Sequence, residues 1–167
     1  MKKQRDNYTF LTHAPVHRVI VSMAVPTIIS MLVTSIYGMV DTYYVGQINT
    51  QSTAAVGISF SIMTIIQAIG FFFGHGSGNY ISRMLGAKRT DEAKYMAATG
   101  LVGSVTFGLA VAVVGLAFLS DICIFLGSTE TILPYTERYL GIILVGAPFM
   151  TGAFTLNNQM RFQGNAK

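Results

Sequence analysis

A single carboxylate, Asp41, interrupts an apolar segment in which no other residue from 19 to 45 carries a charge. Ser30, Thr34 and Tyr37 precede it at spacings of four, three and four residues, which places all four side chains on one side of an α-helix. Polar and charged groups inside a membrane usually face other helices or a wet cavity. Desolvation raises the pKa of a carboxyl group, whereas a bound cation lowers its pKa. The pattern indicates a site where a proton and a cation compete for one carboxylate.

Two further features of this helix bear on that interpretation. Asp41 lies only a few residues before Gly46, so the alternative is a carboxylate solvated at a helix end or at the membrane interface. Pro26 lies within the same helix, where a proline removes one backbone hydrogen bond and favours a kink.

The composition of the chain is that of a membrane protein. Of its 167 residues, 51% are hydrophobic and 11% are charged, whereas soluble domains average roughly 25% charged residues. The apolar residues form four long segments, and each reaches the roughly 20 residues that cross a bilayer as a helix. We therefore predict an all-α membrane protein with four transmembrane helices. The predicted helices are about 19–45, 53–82, 95–119 and 136–160.

The positions of Lys and Arg predict the orientation of these helices. Ten of the eleven basic residues lie in the segments 1–18, 83–94 and 161–167, and Arg138 is the exception. Because cytoplasmic loops carry an excess of Lys and Arg, we expect 1–18 to be a cytoplasmic N-terminal segment and 161–167 to begin a cytoplasmic loop. The net charge of +4 thus reports membrane topology, and the expected partner is the lipid bilayer and no nucleic acid.

Small and amide residues mark the second and fourth predicted helices. Gly70, Gly74 and Gly78 recur every four residues, a pattern that lets another helix backbone approach closely. Asn157 and Asn158 lie near the end of the fourth helix. One of the two is expected to face inward and the other to reach the interface.

The sequence offers no constellation of residues for an enzyme. It shows no Ser–His–Asp, Cys–His or zinc-binding arrangement, and it contains one cysteine, Cys123. A single cysteine rules out an intrachain disulfide and a cysteine-based metal site. We expect a protein that is not an enzyme and that has no cofactor.

Five stretches of the chain together resemble a known family. They are HRVIVSMAVPTIISMLVTSIYGMVDTYYVGQI, TAAVGISFSI, GHGSGNYISRMLGAKRTDEAK, ERYLGIILVGAPF and RFQGNAK. In this order and spacing they resemble the multidrug and toxic compound extrusion (MATE) transporters, especially the bacterial multidrug efflux pumps. The resemblance implies a secondary antiporter of twelve helices in two six-helix lobes, which exports organic cations and drugs in exchange for H⁺ or Na⁺. It also implies a multi-pass protein of the bacterial inner membrane.

On that resemblance the chain is a fragment of the N-terminal lobe, and the C-terminal remainder of the transporter supplies the other helices. Asp41 matches the acidic residue that couples transport to H⁺ or Na⁺, and Na⁺ at this residue is the one metal ion expected. Pro26 matches the proline about which the first helix bends. The resemblance places Thr34, Tyr37 and Asn157 in the substrate cavity. Ser30 joins this predicted cavity because it lies on the same side of the first helix as Thr34 and Tyr37.

Two alternatives to a multidrug antiporter remain open from the sequence. Flippases of lipid-linked saccharides belong to the same broad superfamily, although the single acidic group argues against a strongly cationic cavity. A small four-helix membrane protein that acts as a dimer is the second alternative. The sequence that follows Lys167 would distinguish this small protein from a twelve-helix transporter.

Overall fold

The computed structural model describes residues 14–163, and this part of the chain folds into helices without any strand. Four of the helices are long and apolar enough to cross a membrane, which confirms the predicted fold class. Residues 1–13 of the predicted N-terminal segment and 164–167 of the predicted final loop lie outside the described residues. The helices are α1 (Val16–Gly46), α2 (Thr50–Gly86), α3 (Thr90–Ala117), the short α4 (Leu119–Phe125) and α5 (Leu133–Phe162).

Short connections with local capping join the first three helices. The side chain of Asn49 accepts a hydrogen bond from the backbone N–H of Ser52 at 2.6 Å and so caps the start of α2, where helix N–H groups lack partners. Between α2 and α3, Lys88 adopts a left-handed backbone with φ of 61°. Acidic residues Asp91 and Glu92 begin α3, where the helix dipole favours negative charge. Connections this short place successive helices antiparallel.

The core lies between α2, α3 and α5, and α1 packs mainly along α2. Ile66, Ala112 and Ala147, one from each of the three core helices, form a buried cluster. A second cluster of Cys123, Leu140 and Leu144 joins α4 to α5. No residue of α1 whose side chain is described is buried. Among the described residues, α1 as a whole therefore makes few contacts with the other helices.

Glycines allow α2 and α5 to approach closely. A Cβ atom added at Gly70 would lie 2.6 Å from the Cβ of Phe154, and one added at Gly74 would lie 2.8 Å from the Cβ of Asn158. Gly78 lies against the ring of Phe162 in the same way. The structure thus places all three glycines of the predicted packing pattern on the α5 side of α2.

Polar side chains of α5 tie the three core helices together. Thr155 donates a hydrogen bond to the Gly70 carbonyl of α2 at 3.1 Å, and Thr151 donates to the Ser104 carbonyl of α3 at 3.0 Å. The amide of Gln159 donates to Ser77 Oγ at 2.9 Å and to a carbonyl of α3 at 3.1 Å. Such bonds between helices hold apolar segments together where lipid provides no hydrophobic driving force.

The orientation of the helices gives a first testable prediction. A cysteine introduced at Gln51, in the first turn of α2 at the end that should be external, is expected to react with an impermeant maleimide in intact cells. A cysteine at Lys88 should react only after permeabilisation. Both positions are exposed. The reverse pattern would overturn the predicted topology.

The native cysteine should contribute little background to this labelling. Cys123 is fully buried in the second cluster. Burial first, and the nearby charge of Glu137 second, raise the pKa of its thiol. Because the thiolate is the reactive form, Cys123 stays protonated and inert at neutral pH. The protein without introduced cysteines is the control.

Candidate functional site

A groove of about 480 Å³ lies between α1, α2 and α5. On its apolar side, the rings of Phe71 and Phe154 meet edge to face with centroids 5.6 Å apart. We call this space the polar groove. Its polar lining residues are Ser30, Thr34, Ser35, Gln67, Asn157 and Arg161.

Three of the residues predicted to line a cavity meet in the polar groove. Ser30 and Thr34 come from α1, and Asn157 comes from α5. The Thr34 hydroxyl donates to the Ser30 carbonyl at 2.9 Å, so its oxygen remains free to accept a hydrogen bond from a ligand. The predicted residue Tyr37 does not line this groove, and 72% of its surface is exposed.

The two asparagines near the end of α5 have different surroundings. Asn158 is buried, and its amide donates to the Phe154 carbonyl at 2.8 Å. Its Cβ faces Gly74 of α2. Asn157 is exposed to the polar groove. Of the two, Asn157 is therefore the residue available to a ligand, whereas Asn158 packs between helices.

Asp41 lies on α1 between the polar groove and a second groove. Its side chain is exposed. Val45, one turn further along α1, lines a second groove of about 260 Å³ together with Arg138 and Tyr139 of α5. Asp41 and Tyr37 both lie close enough to Tyr139 to interact with it electrostatically. Asp41 therefore lies near the part of α5 that lines the second groove.

The chemistry available at Asp41 is that of one carboxylate. Within residues 14–163, no three His, Cys, Asp or Glu side chains come together as metal ligands. Asp41 forms no salt bridge with another residue in this range. A single unpaired carboxylate suits one proton or one monovalent cation, whereas tightly bound divalent ions require several oxygen ligands.

The helix α1 is continuous through Pro26, so Pro26 and Asp41 lie on the same helix.

Sequence reasoning missed Arg161 as a groove residue. It was used only as a marker of topology, yet its side chain lines the polar groove beside Asn157. The signal was the spacing of these two residues, which lie four apart on α5 and thus on one face of the helix.

Comparison with known proteins identifies the family. The sequence profile of the MatE family matches residues 26–167. The multidrug export protein MepA of Staphylococcus aureus (strain MRSA252) is 33% identical over 111 residues, which are 66% of this chain and 25% of MepA. MepA of Staphylococcus haemolyticus (strain JCSC1435) is 34% identical over 111 residues, which again are 66% of this chain and 25% of the relative.

The chain spans about a quarter of the length of these curated relatives. The search of solved structures gave no significant match. Since the family profile covers most of the chain, including the helices that carry Asp41 and the polar groove, the chain belongs to the MatE family, as its sequence motifs predicted.

Proposed function

We propose that this chain forms part of the N-terminal lobe of a secondary multidrug efflux antiporter, which exports organic cations in exchange for H⁺ or Na⁺. Membership of the MatE family and the similarity to proteins named for multidrug export support this proposal. The proposed location is the bacterial inner membrane, which the resemblance to bacterial efflux pumps supports. The distribution of basic residues supports a cytoplasmic N-terminus.

The observation that carries the proposal is a lone carboxylate on an apolar helix that also contributes to a polar groove. Asp41 is the only charged residue from 19 to 45, and Ser30 and Thr34 of the same helix line the groove. A proton or Na⁺ from outside binds at Asp41 and lowers the affinity for a cationic drug. Release of the ion to the cytoplasm restores the negative charge and the affinity. This exchange requires that ion and drug bind differently to the two states of the transporter.

The packing of α1 is consistent with such an exchange. The helices α2, α3 and α5 share a buried core, whereas α1 has no buried residue among those whose side chains are described. In the proposed mechanism α1 repacks about Pro26 while the three core helices stay together.

Expression of the four helices alone tests this assignment. The polar groove and Asp41 are open on the side away from the core, and we expect further helices of the transporter to complete the site. The 167 residues alone should therefore give no resistance to a toxic cationic dye. A transporter of the relatives' length that contains this sequence should give resistance. Both proteins must be present in the membrane at matched amounts, and resistance from the 167 residues alone would favour the small dimeric protein instead.

A further inference from the structure

An apolar crevice of about 350 Å³ opens between α2 and α3 and ends on α5. Its floor consists of Leu140 and Leu144 of α5, which are 0% and 1% exposed. Its rim consists of Ile65 of α2 with Phe107 and Val114 of α3, and each of these side chains is at least half exposed. Within the described part of the chain, every lining residue is apolar. Water finds no hydrogen-bond partner in such a space, so the crevice takes an apolar occupant or none.

The crevice and the two grooves lie on different sides of the core. Among residues 14–163, none from α1 lines the crevice, and none from α3 or α4 lines either groove. On α2, Ile65 lines the crevice and Gln67 lines the polar groove, and residues two apart on a helix point about 200° apart. Further helices that complete the polar groove therefore do not have to cover the crevice.

The short helix α4 fixes the depth of the crevice in the membrane. It joins the membrane-spanning helices α3 and α5, so it lies at a membrane surface. Ile122 of α4 lines the crevice, whereas Phe118 and Phe125 beside it are 57% and 89% exposed. Exposed Phe side chains on a short surface helix suit the boundary between headgroups and acyl chains. The crevice thus extends from this boundary into the hydrocarbon region.

The size and the rim of the crevice fit a hydrocarbon chain better than another helix. A helix is about 10–12 Å across, so a single turn about 5.4 Å long occupies roughly 400–600 Å³. That is more than the volume of the crevice. Contacts between membrane helices favour small residues and polar side chains, as Gly70 and Thr155 show between α2 and α5. The rim residues of the crevice are large and apolar instead.

We propose that this crevice is a lipid site, which holds one acyl chain of a phospholipid from the leaflet on the α4 side of the membrane. The glycerol and headgroup of this lipid lie beside α4. Since α4 carries an acidic residue, Asp121, and no basic one, the chain rather than an anionic headgroup supplies the affinity. This inference requires only that the helices lie in a membrane, and it does not depend on antiport.

Filling the crevice in the complete transporter tests the proposal. Val114→Phe adds a ring inside it, and Val113→Phe is the matched control. Val113 is the neighbouring residue on α3, is 61% exposed against 56% for Val114, and does not line the crevice. The probe is a phosphatidylethanolamine with a diazirine in the middle of one chain, added to delipidated transporter in detergent and photolysed. Mass spectrometry then locates the labelled residues.

In the wild type, labelling of the crevice residues should saturate at one lipid per protein, and unlabelled phosphatidylethanolamine should compete with it. Val114→Phe should lower this labelling by about tenfold, the effect of two lost methylene contacts, and Val113→Phe should change it by less than about twofold. Ala110→Leu, a smaller change at another lining residue, should lower the labelling in the same direction. It keeps the test valid if Val114→Phe fails to elute as the folded wild type does.

Two results would overturn the proposal. Labelling that rises in proportion to the added lipid and is the same in the wild type, Val114→Phe and Ala110→Leu would show ordinary contact with bulk lipid. Absence of label from the crevice residues of the wild type would show that another helix of the transporter or a second copy fills the space. Dye efflux plays no part in this measurement, so its outcome is separate from that of the proposed antiport function.

Discussion

Gly74→Ala is expected to separate α2 from α5 and to lower the free energy of unfolding by about 1–3 kcal/mol, the usual cost of overpacking a filled core. The added Cβ would lie 2.8 Å from the Cβ of Asn158 and 3.3 Å from the Cα of Thr155. The second of these atoms belongs to the backbone, so a side-chain rotation cannot relieve the contact. A shift of α5 would also lengthen the hydrogen bond from Thr155 to the Gly70 carbonyl.

The same helix offers a matched control for this substitution. A Cβ added at Gly76 meets nothing within 4 Å, so Gly76→Ala should leave stability unchanged or raise it slightly through helix propensity. The measurement is the midpoint of thermal unfolding in detergent, together with the amount of folded protein recovered from membranes. Equal behaviour of the two variants would show that α2 and α5 are not in close contact through Gly74.

The four membrane-spanning helices could be predicted from the sequence because a bilayer requires long apolar segments. The four apolar segments predicted four helices because a helix is the economical way to satisfy the backbone in hydrocarbon. The structure begins α2 at Thr50 and α5 at Leu133, each about three residues before the predicted starts at 53 and 136. The cause at α2 is local: capping by Asn49 extends the helix into polar sequence that hydropathy does not register.

The contacts between helices were less predictable than the helices themselves. The hydrogen bonds of Thr151 and Gln159 join α5 to helices that are distant in sequence. In the sequence, a polar side chain that bonds another helix cannot be told from one that lines a cavity, because the neighbouring helix is not known. Asn157 and Asn158 show the same ambiguity, because adjacent residues point about 100° apart on a helix and only the packing reveals which one is buried.

Replacement of Asp41 by Asn is expected to abolish gradient-driven efflux in the complete transporter. Asn has nearly the same shape but cannot ionise, so it resembles a permanently protonated site. Asp41→Glu keeps an ionisable group and should retain part of the activity. If Asp41 were only a solvated carboxylate at a helix end, Asn should be tolerated, at a cost of roughly 1 kcal/mol or less in stability. Asp121→Asn is the matched control, because Asp121 is exposed on the short helix α4 and lies outside both grooves.

Of the four residues in the predicted polar stripe of α1, two line the polar groove and two do not. The spacing of Ser30 and Thr34 on one helix placed both in the polar groove, since helical periodicity determines which residues share a face. The same stripe also contains Tyr37 and Asp41, which the structure places outside that groove. A helix about 46 Å long passes more than one neighbouring surface, so one stripe can line two separate spaces.

The most direct test of Asp41 as the coupling residue measures efflux of a cationic dye from vesicles with an imposed H⁺ or Na⁺ gradient, at matched protein levels. The wild type should export dye only when one of the gradients is present, and Asp121→Asn should behave like the wild type. Asp41→Asn should export no dye with either gradient. Efflux by Asp41→Asn at the wild-type rate and with the wild-type ion dependence would contradict the assignment of Asp41 as the coupling residue.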